Sequence, residues 1–477
     1  MFLGREKELE SLKRLLDKQV ASLVACRGRR RIGKSTLFKE FARREKLGFI
    51  SIEGLGPRKG QTNADQLKNF GVRLAEQTRG RLVIPQTWSE AFDLLAKRIP
   101  KRGRQLVLLD EISWMGKHDP DFAGYLKNGW DDALKQRDNL ILVVCGSVSS
   151  WVKRNLLDSA TFGGRFSRDL VLKELPLRQC AEFWRDRRED LASRELLDVL
   201  SVTGGVPRYL EEVNPALSAA ENIRLMCFTS DGPLFKDFSA MFSEVFGETS
   251  VMKGDVLRTL ADGPKTLNEI AMALGVERGG SLGNVLDELA EAGFVAKDTV
   301  LNPRTWTKSR ISYYRLCDNY ARFYLKFIEP HVDAIKGGRF EFETLAELPG
   351  WQTVMGLQFE NLVLNRVMDF REPLHLNGLS VRSAAPYRVS GKNGVQVDLL
   401  IQTDEVLYVV EVKRRKQIEA EIVDEVREKI RKIRHPKTIS VRKALVFDGE
   451  LPVSVRRCGY FDALVDVGQM IKGERHA

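Results

Sequence analysis

The chain has 477 residues, with 76 Lys or Arg against 65 Asp or Glu, a formal net charge of +11. Hydrophobic residues make up 43% and charged residues 30%, which excludes a disordered or collagen-like chain and leaves material for sizeable cores. No apolar run approaches the ~18 residues of a membrane span, and the charged start from Arg5 has no signal-peptide core, so no membrane association and a cytoplasmic location are expected.

The length suggests about three domains. The basic excess favours an anionic partner, nucleic acid being the obvious one. Part of it is local, at Arg29 to Arg31, Lys413 to Lys416 and Lys429 to Lys437, and each cluster also reads as a solvated basic surface. Cys26, Cys145, Cys180, Cys227, Cys317 and Cys458 are scattered singly and read as reduced core residues, not disulfides or zinc ligands.

In chain order, Met1 to Lys18 reads as a helix with Leu9, Leu12, Leu15 and Leu16 on one face. Ser22 to Cys26 reads as a buried strand and Thr36 to Lys46 as a helix. Between them lies Gly28-Arg29-Arg30-Arg31-Ile32-Gly33-Lys34-Ser35. Glycines at a strand-to-helix turn let successive N–H groups converge on an anion at the positive end of the helix dipole. The expected nucleotide site is therefore Gly28, Arg29, Arg30, Arg31, Ile32, Gly33, Lys34, Ser35 and Thr36. Lys34 is expected to reach the β- and γ-phosphates and Ser35 to sit on magnesium.

Gln105 to Asp110 is an apolar strand that ends in Asp110 and Glu111. Asp110 is expected to hold magnesium through water, and Glu111 to orient and polarise the attacking water. Leu140 to Ser147 is a second apolar strand, of the kind buried on both faces of a parallel sheet. Ser147 at its end reads either as a partner of the γ-phosphate or attacking water, or as a satisfied turn hydroxyl. Arg165, after Gly163-Gly164, is a candidate arginine finger acting in cis or from a neighbouring subunit. Arg208, in Gly204-Gly205-Val206-Pro207-Arg208, is a candidate to reach back to the nucleotide. Gln179 to Asn214 otherwise reads as a helical lid.

Three short helices follow, at Val256 to Ala261, Thr266 to Leu274 and Gly280 to Ala292, with a tight turn at Leu274-Gly275-Val276 and a strand from Gly293 onward. This is a winged helix-turn-helix pattern. Arg278, Ser281 and Asn284 suit nucleic acid. Asp287, Glu288 and Glu291 on the same helix oppose a phosphate backbone and favour a spacer or protein-contact role.

Beyond a Gly337-Gly338 break, Glu360 lies on a helix. Val395 to Ile401 and Val406 to Lys413 read as a hairpin turning at Thr403-Asp404-Glu405. Two carboxylates in such apolar strands, Asp398 and Glu411, are costly unless paired or metal-bound. Asp398 and Glu411 are candidate magnesium ligands, Glu360 completes or tunes the metal shell, and Lys413 positions a water to attack phosphorus. A Glu411/Lys413 salt bridge on a half-exposed sheet is the plainer reading.

Taken together, Gly28 to Ser35, Asp110-Glu111, Gly146-Ser147, Gly204-Gly205-Val206-Pro207 and Asp398 with Glu411-Val412-Lys413 resemble the archaeal-type AAA ATPases of prokaryotes. These are relatives of the signal-transducing ATPases, with a winged helix and a C-terminal restriction-endonuclease-like, PD-(D/E)XK domain. Val397 stands where that nuclease motif has proline. The resemblance implies an α/β fold with a parallel-sheet P-loop ATPase domain and helical lid. It also implies ATP and Mg2+ as cofactors and possible action on DNA. ATP over GTP rests on it, since no Asn-Lys-x-Asp run is present.

The expected division is 1–175 ATPase core, 176–250 lid, 251–335 winged helix with connecting helices, and 336–477 nuclease-like domain. The expected function is ATP hydrolysis coupled to a Mg-dependent nuclease-type domain acting on DNA. The alternative is an ATP-driven regulatory switch, as a homo-oligomer or with a protein partner, whose C-terminal domain is catalytically silent.

Overall fold

The computed structural model describes residues 2–473 except 57, 148, 247–249, 300–301, 310, 343, 390 and 392–393. The chain divides into two compact units, one of residues 1–175 with 240–248 and one of 176–239 with 249–477.

The first unit is built on a parallel sheet. Its strands are β1 (Ser22–Arg27), β2 (Gly48–Glu53), β3 (Gln105–Asp110), β4 (Leu140–Gly146) and β5 (Phe166–Val171), in the order β2-β3-β4-β1-β5. Alternation of side chains explains why the interiors of β1, β3 and β4 are apolar on both faces. Leu106, Leu108, Ile141, Val143, Val24 and Cys26 enter one core with Leu37, Phe38 and Phe41 of helix Lys34–Arg44. Val107, Leu109, Leu142, Val144, Leu23 and Ala25 enter the other, with Phe70, Trp88 and Phe92. The strands therefore have helices on both faces, and their carboxyl ends form one edge, where such sheets bind ligands.

The N-terminal helix is shorter than the leucine spacing suggests. It spans Glu6–Lys13, because Gly4 and Arg5 both take positive φ (74° and 72°), and Leu15 closes a tight turn onto Leu12. Leu15 is nonetheless fully buried.

In the second unit, helices Ser250–Ala261, Leu267–Leu274 and Gly280–Glu291 pack Val256, Leu260, Ile270, Leu282, Leu286 and Leu289 inward. Thr266 and Glu269 form a capping box at the second helix, and Gly275 ends it at φ 64°. Strands β6 (Lys265–Thr266), β7 (Val295–Asp298) and β8 (Tyr313–Leu316) form an antiparallel sheet in the order β6-β8-β7. The first helix starts at Ser250, ahead of the expected Val256.

The same unit holds a mixed sheet of β9 (Ser383–Val389), β10 (Val395–Gln402), β11 (Val406–Gln417), β12 (Ser440–Glu450) and β13 (Ala463–Asp466). Its order is β13-β12-β11-β10-β9. The β9, β10 and β11 pairings are antiparallel, and those of β11, β12 and β13 are parallel. Helix Ile422–Lys432 crosses between β11 and β12 and packs Ile422 and Val426 against Leu400, Leu407, Val409 and Leu445. The expected hairpin is β10–β11, paired from Gln402↔Leu407 to Leu399↔Val410.

Four of the six cysteines are buried and all are free, but Cys317 is only half-buried and Cys458 is exposed. Cys458 is thus not a core residue. It follows helix Val453–Arg457, whose Val455 is buried while the position three residues on faces solvent. Among the described residues, no helix is long and apolar enough to cross a membrane.

Candidate functional sites

The loop between β1 and helix Lys34–Arg44 is shaped by backbone that few residues tolerate. Gly28 has φ 151°, and a Cβ there would lie 2.4 Å from the Leu172 carbonyl oxygen. Arg31 takes φ 68°, and Gly33 caps the helix at φ 86°. Arg5, 5% exposed, braces the loop from outside by donating to the carbonyls of Ile32 (3.1 Å) and Lys173 (2.6 Å). Arg29 pairs with Glu174 at 3.5 Å, and the Arg30 guanidinium lies over the Trp114 ring at 5.4 Å. Ile32 is buried in the helix-side core, and Thr36 is exposed on the first turn.

Inside the loop, the Lys34 ammonium donates to the carbonyls of Gly28 (3.0 Å) and Arg29 (3.1 Å), a posture in which it spans the space an anion would fill. The Ser35 hydroxyl donates to Asp110, so two hard oxygen donors of the kind magnesium takes stand together. This donor set fits magnesium.

Glu111 follows Asp110 in left-handed conformation (φ 48°, ψ 49°), its amide bonded back to the Asp110 carboxylate at 3.0 Å. Its carboxylate accepts from the Ser147 hydroxyl at 2.7 Å and the Ser147 amide at 3.1 Å. The carboxyl ends of β1, β3 and β4 thus bring together Lys34, Ser35, Asp110, Glu111 and Ser147.

One carboxylate escaped the sequence reading. Glu53 ends β2 in register with Asp110, and its pKa is raised by burial and then by the charges of Asp110 and Glu111. The available signal was its place at the end of the strand after the phosphate loop.

The two arginines have partners of their own. Arg165 grips Asp131 through Nε (3.0 and 3.2 Å) and Nη2 (2.9 Å). Arg208, about half exposed, pairs with Glu211 (3.2 Å) and Glu212 (2.7 Å) in the turn that ends its short helix, Pro207–Leu210. The Gly204-Gly205 turn meets Arg366, which donates to the Gly204 carbonyl. A Cβ on Gly205 would lie 2.3 Å from the Arg366 guanidinium and 3.0 Å from the Cys180 sulfur.

In the mixed sheet, Asp398 and Glu411 are the next residues beyond the Leu399↔Val410 pair, one on each strand. Glu411 is 1% exposed and Asp398 8%. Asp398 accepts the Val412 amide at 2.9 Å. Burial, and then the charges of Glu411 and Glu360, push the Asp398 carboxyl up to about 8. Lys413 Nζ lies 2.7 Å from Glu411 and 3.4 Å from Glu425. Burial works against the Lys413 charge, but Glu411 and Asp398 outweigh it and its pKa is raised.

Glu360, on helix Trp351–Leu364, also has a raised pKa. Burial is the main cause and Glu411 adds to it, against Arg315, Arg388 and Arg322. The plainer reading of a Glu411/Lys413 ion pair is therefore present in the structure, but inside the protein and shared with Lys429, which the sequence places only in a basic cluster. Lys429, on helix Ile422–Lys432, sits 2.6 Å from both Glu411 oxygens. Its sequence signal is the i, i+4, i+7 spacing that puts Ile422, Val426 and Lys429 on one face of that helix.

Two carboxylates that face each other in an apolar sheet are a donor pair that suits a hard cation. Among the described residues, no group of three or more His, Cys, Asp or Glu stands in metal-holding positions, so Glu360 is not drawn into a ready-made cage.

The parallel sheet, its phosphate loop and the acidic strand end define a P-loop nucleotide-binding fold. Residues 2–213 match the family described as an ATPase domain predominantly from Archaea, and this part of the chain is an ATPase domain of that type. Among curated relatives, an uncharacterized protein of Methanocaldococcus jannaschii is 26% identical over 76% of each chain. An uncharacterized ATP-binding protein of the same organism is 42% identical over 52 residues, 11% of this chain and 88% of that protein. Among solved structures, the chain is similar to a Walker-type ATPase of Pyrococcus abyssi (16% identity, 68% of this chain and 96% of that one, TM-score 0.47). It is also similar to the ORC2 protein of Aeropyrum pernix (14% identity, 70% and 94%, TM-score 0.45).

Proposed function

We propose that the chain is a magnesium-dependent ATPase whose nucleotide state controls a nuclease-like C-terminal domain acting on DNA. Residues 1–175 serve as the ATPase core, 176–250 as lid, 251–335 as a winged helix with its connecting helices, and 336–477 as the nuclease-like domain. The observation that carries the ATPase part is the convergence of Lys34, Ser35, Asp110, Glu111 and Ser147 at one sheet edge. Lys34 leaves the loop carbonyls for the β- and γ-phosphates. Ser35 and Asp110 would hold a magnesium ion, which would supply positive charge against the developing phosphate charge; Glu111 orients the attacking water while Ser147 keeps its carboxylate in place. Arg165 is the candidate finger for the transition-state charge, and Arg208 the candidate to reach the nucleotide.

For the nuclease part, support comes from the facing Asp398 and Glu411 with Lys413 two residues on, on the face crossed by helix Ile422–Lys432. A bound Mg2+ would supply Lewis-acid polarisation of the phosphodiester. Asp398 and Glu411 would hold it, Glu360 would tune their charge, and Lys413 would orient the attacking water.

In the three-helix module, Arg278, Ser281 and Asn284 are exposed, and Glu288 is engaged by Lys253 at 2.7 Å. This leaves less uncompensated acid on the third helix than its sequence implies, and it favours DNA contact over a pure spacer.

The rival reading is a regulatory switch with a silent C-terminal domain, working as a homo-oligomer or on a protein partner in the cytoplasm. It is favoured by the two lysines that already neutralise Glu411. Cleavage of plasmid and linear DNA with Mg2+, with and without ATP, separates the two. Wild type is expected to cut, Asp398→Ala to bind DNA without cutting, and Lys34→Ala to lose ATP control. ATPase activity that depends on Lys34, with no cleavage under any condition, overturns the nuclease in favour of the switch.

A further inference from the structure

The Lys429 side chain is placed differently from Lys413. Lys413 lies 2.7 Å from a Glu411 oxygen and divides its charge with Glu425. The Lys429 ammonium caps the carboxylate symmetrically, 2.6 Å from each oxygen, which is the seat of a cation bound by both. Helix Ile422–Lys432 brings it there as the polar member of its buried face, below Val426. The Lys429 side chain keeps 22% of its surface exposed, so its long stem has a way out, whereas Glu411 at 1% has none.

We propose that Lys429 is a built-in occupant of the divalent-cation seat at Glu411, which a metal ion must displace before the carboxylates can hold it. This rests on the reading of Asp398 and Glu411 as metal ligands. Without an ion, the ammonium keeps a buried carboxylate from standing alone, which would otherwise be costly. When an ion enters, the ammonium swings outward on its stem, where it offers a positive charge to the phosphate backbone of a nucleic acid. Lys429 thereby lowers metal affinity in the resting protein, and Lys413 stays with Glu411 in both states.

The test is Mn2+ binding to the full chain without nucleotide or DNA, followed by the spectroscopic signal of free Mn2+. Lys429→Met is expected to bind Mn2+ at least about tenfold more tightly than wild type, Lys429→Arg to resemble wild type, and Asp398→Asn to abolish the site in each background. A purely structural lysine predicts the opposite, since its loss would disorder Glu411 and weaken the metal. Equal or weaker Mn2+ binding by folded Lys429→Met, with binding still dependent on Asp398, overturns the proposal and leaves the metal site standing. Absence of any Asp398-dependent binding in all folded variants overturns the metal reading and this proposal with it. If Lys429→Met does not fold, Lys429→Gln, which keeps a donor to Glu411, carries the same comparison.

Discussion

The Ser147 hydroxyl and amide both donate to one oxygen of Glu111, at 2.7 and 3.1 Å. Glu111 sits in left-handed conformation between β3 and the following turn, so this pair of bonds is what aims its carboxylate. If Glu111 activates the attacking water as proposed, replacing it should cost more than replacing Ser147, which aims it. Glu111→Gln is expected to lower kcat for ATP hydrolysis by roughly 10²–10⁴-fold, the range for a general base. Ser147→Ala is expected to lower it about tenfold, one hydrogen bond's worth. Both should bind ATP within threefold of wild type, as read by a fluorescent ATP analogue. A larger loss in Ser147→Ala than in Glu111→Gln would reassign the roles.

Gly28 is required by geometry. Its φ of 151° and the 2.4 Å approach of the Leu172 carbonyl leave no room for a methyl group. Gly28→Ala is expected to destabilise the protein by about 1–3 kcal/mol through strain and overpacking, and to weaken ATP binding by displacing the loop. Thermal unfolding with and without ATP checks both.

Arg165 holds the Asp131 carboxyl down at about 2, from an ordinary value of 3.8. The unfolded chain therefore takes up this proton at higher pH than the folded one. The stabilisation is complete above about pH 4 and is lost as pH falls through 2. Both side chains are partly exposed (28% and 24%), so solvent screens the pair and little stability is at stake. Arg165→Ala is expected to return the Asp131 carboxyl resonance toward its ordinary titration in NMR. An unchanged midpoint would mean that the pair does not persist in solution.

Arg414, one residue past Lys413, is 3% exposed and binds Asp198 and Asp448, with a further bond to Ser201 at 3.1 Å. It ties β11 to helix Ser193–Thr203 within the second unit. Arg414→Met leaves the nearly buried Asp448 with Arg194, 3.9 Å away, as its remaining ion-pair partner among the described residues, and is expected to cost about 3–5 kcal/mol. Asp198→Asn, at a 29% exposed position, is expected to cost under about 1 kcal/mol. Denaturant unfolding of the two single variants and the double variant gives the coupling energy, and a sum of independent effects would contradict the tie.

The strands of the first unit were legible because a buried parallel strand needs apolar residues on both faces, and Leu106 to Leu109 and Leu140 to Cys145 meet that need without interruption. The hairpin around Asp398 and Glu411 was legible from two apolar runs and a short polar turn. Glu53 was not, since a glutamate at the end of a half-exposed strand looks like any surface residue until β2 is paired with β3. The true start of the N-terminal helix is not legible in the sequence, because the two residues with positive φ that set it, Gly4 and Arg5, leave no periodic trace.

By itself the sequence determined those features whose chemistry is carried by consecutive residues: the phosphate loop, the acidic strand end and the Glu-x-Lys strand. Only the tertiary structure decided which charges meet. Lys429 reaches Glu411 across 18 positions, Arg165 reaches Asp131 across 34, and Arg414 reaches Asp198 across 216. Backbone conformation follows local sterics and hydrogen bonding, which neighbouring residues encode. The partner of a buried charge is whatever the packed elements bring within about 3 Å of it, and no local pattern specifies that.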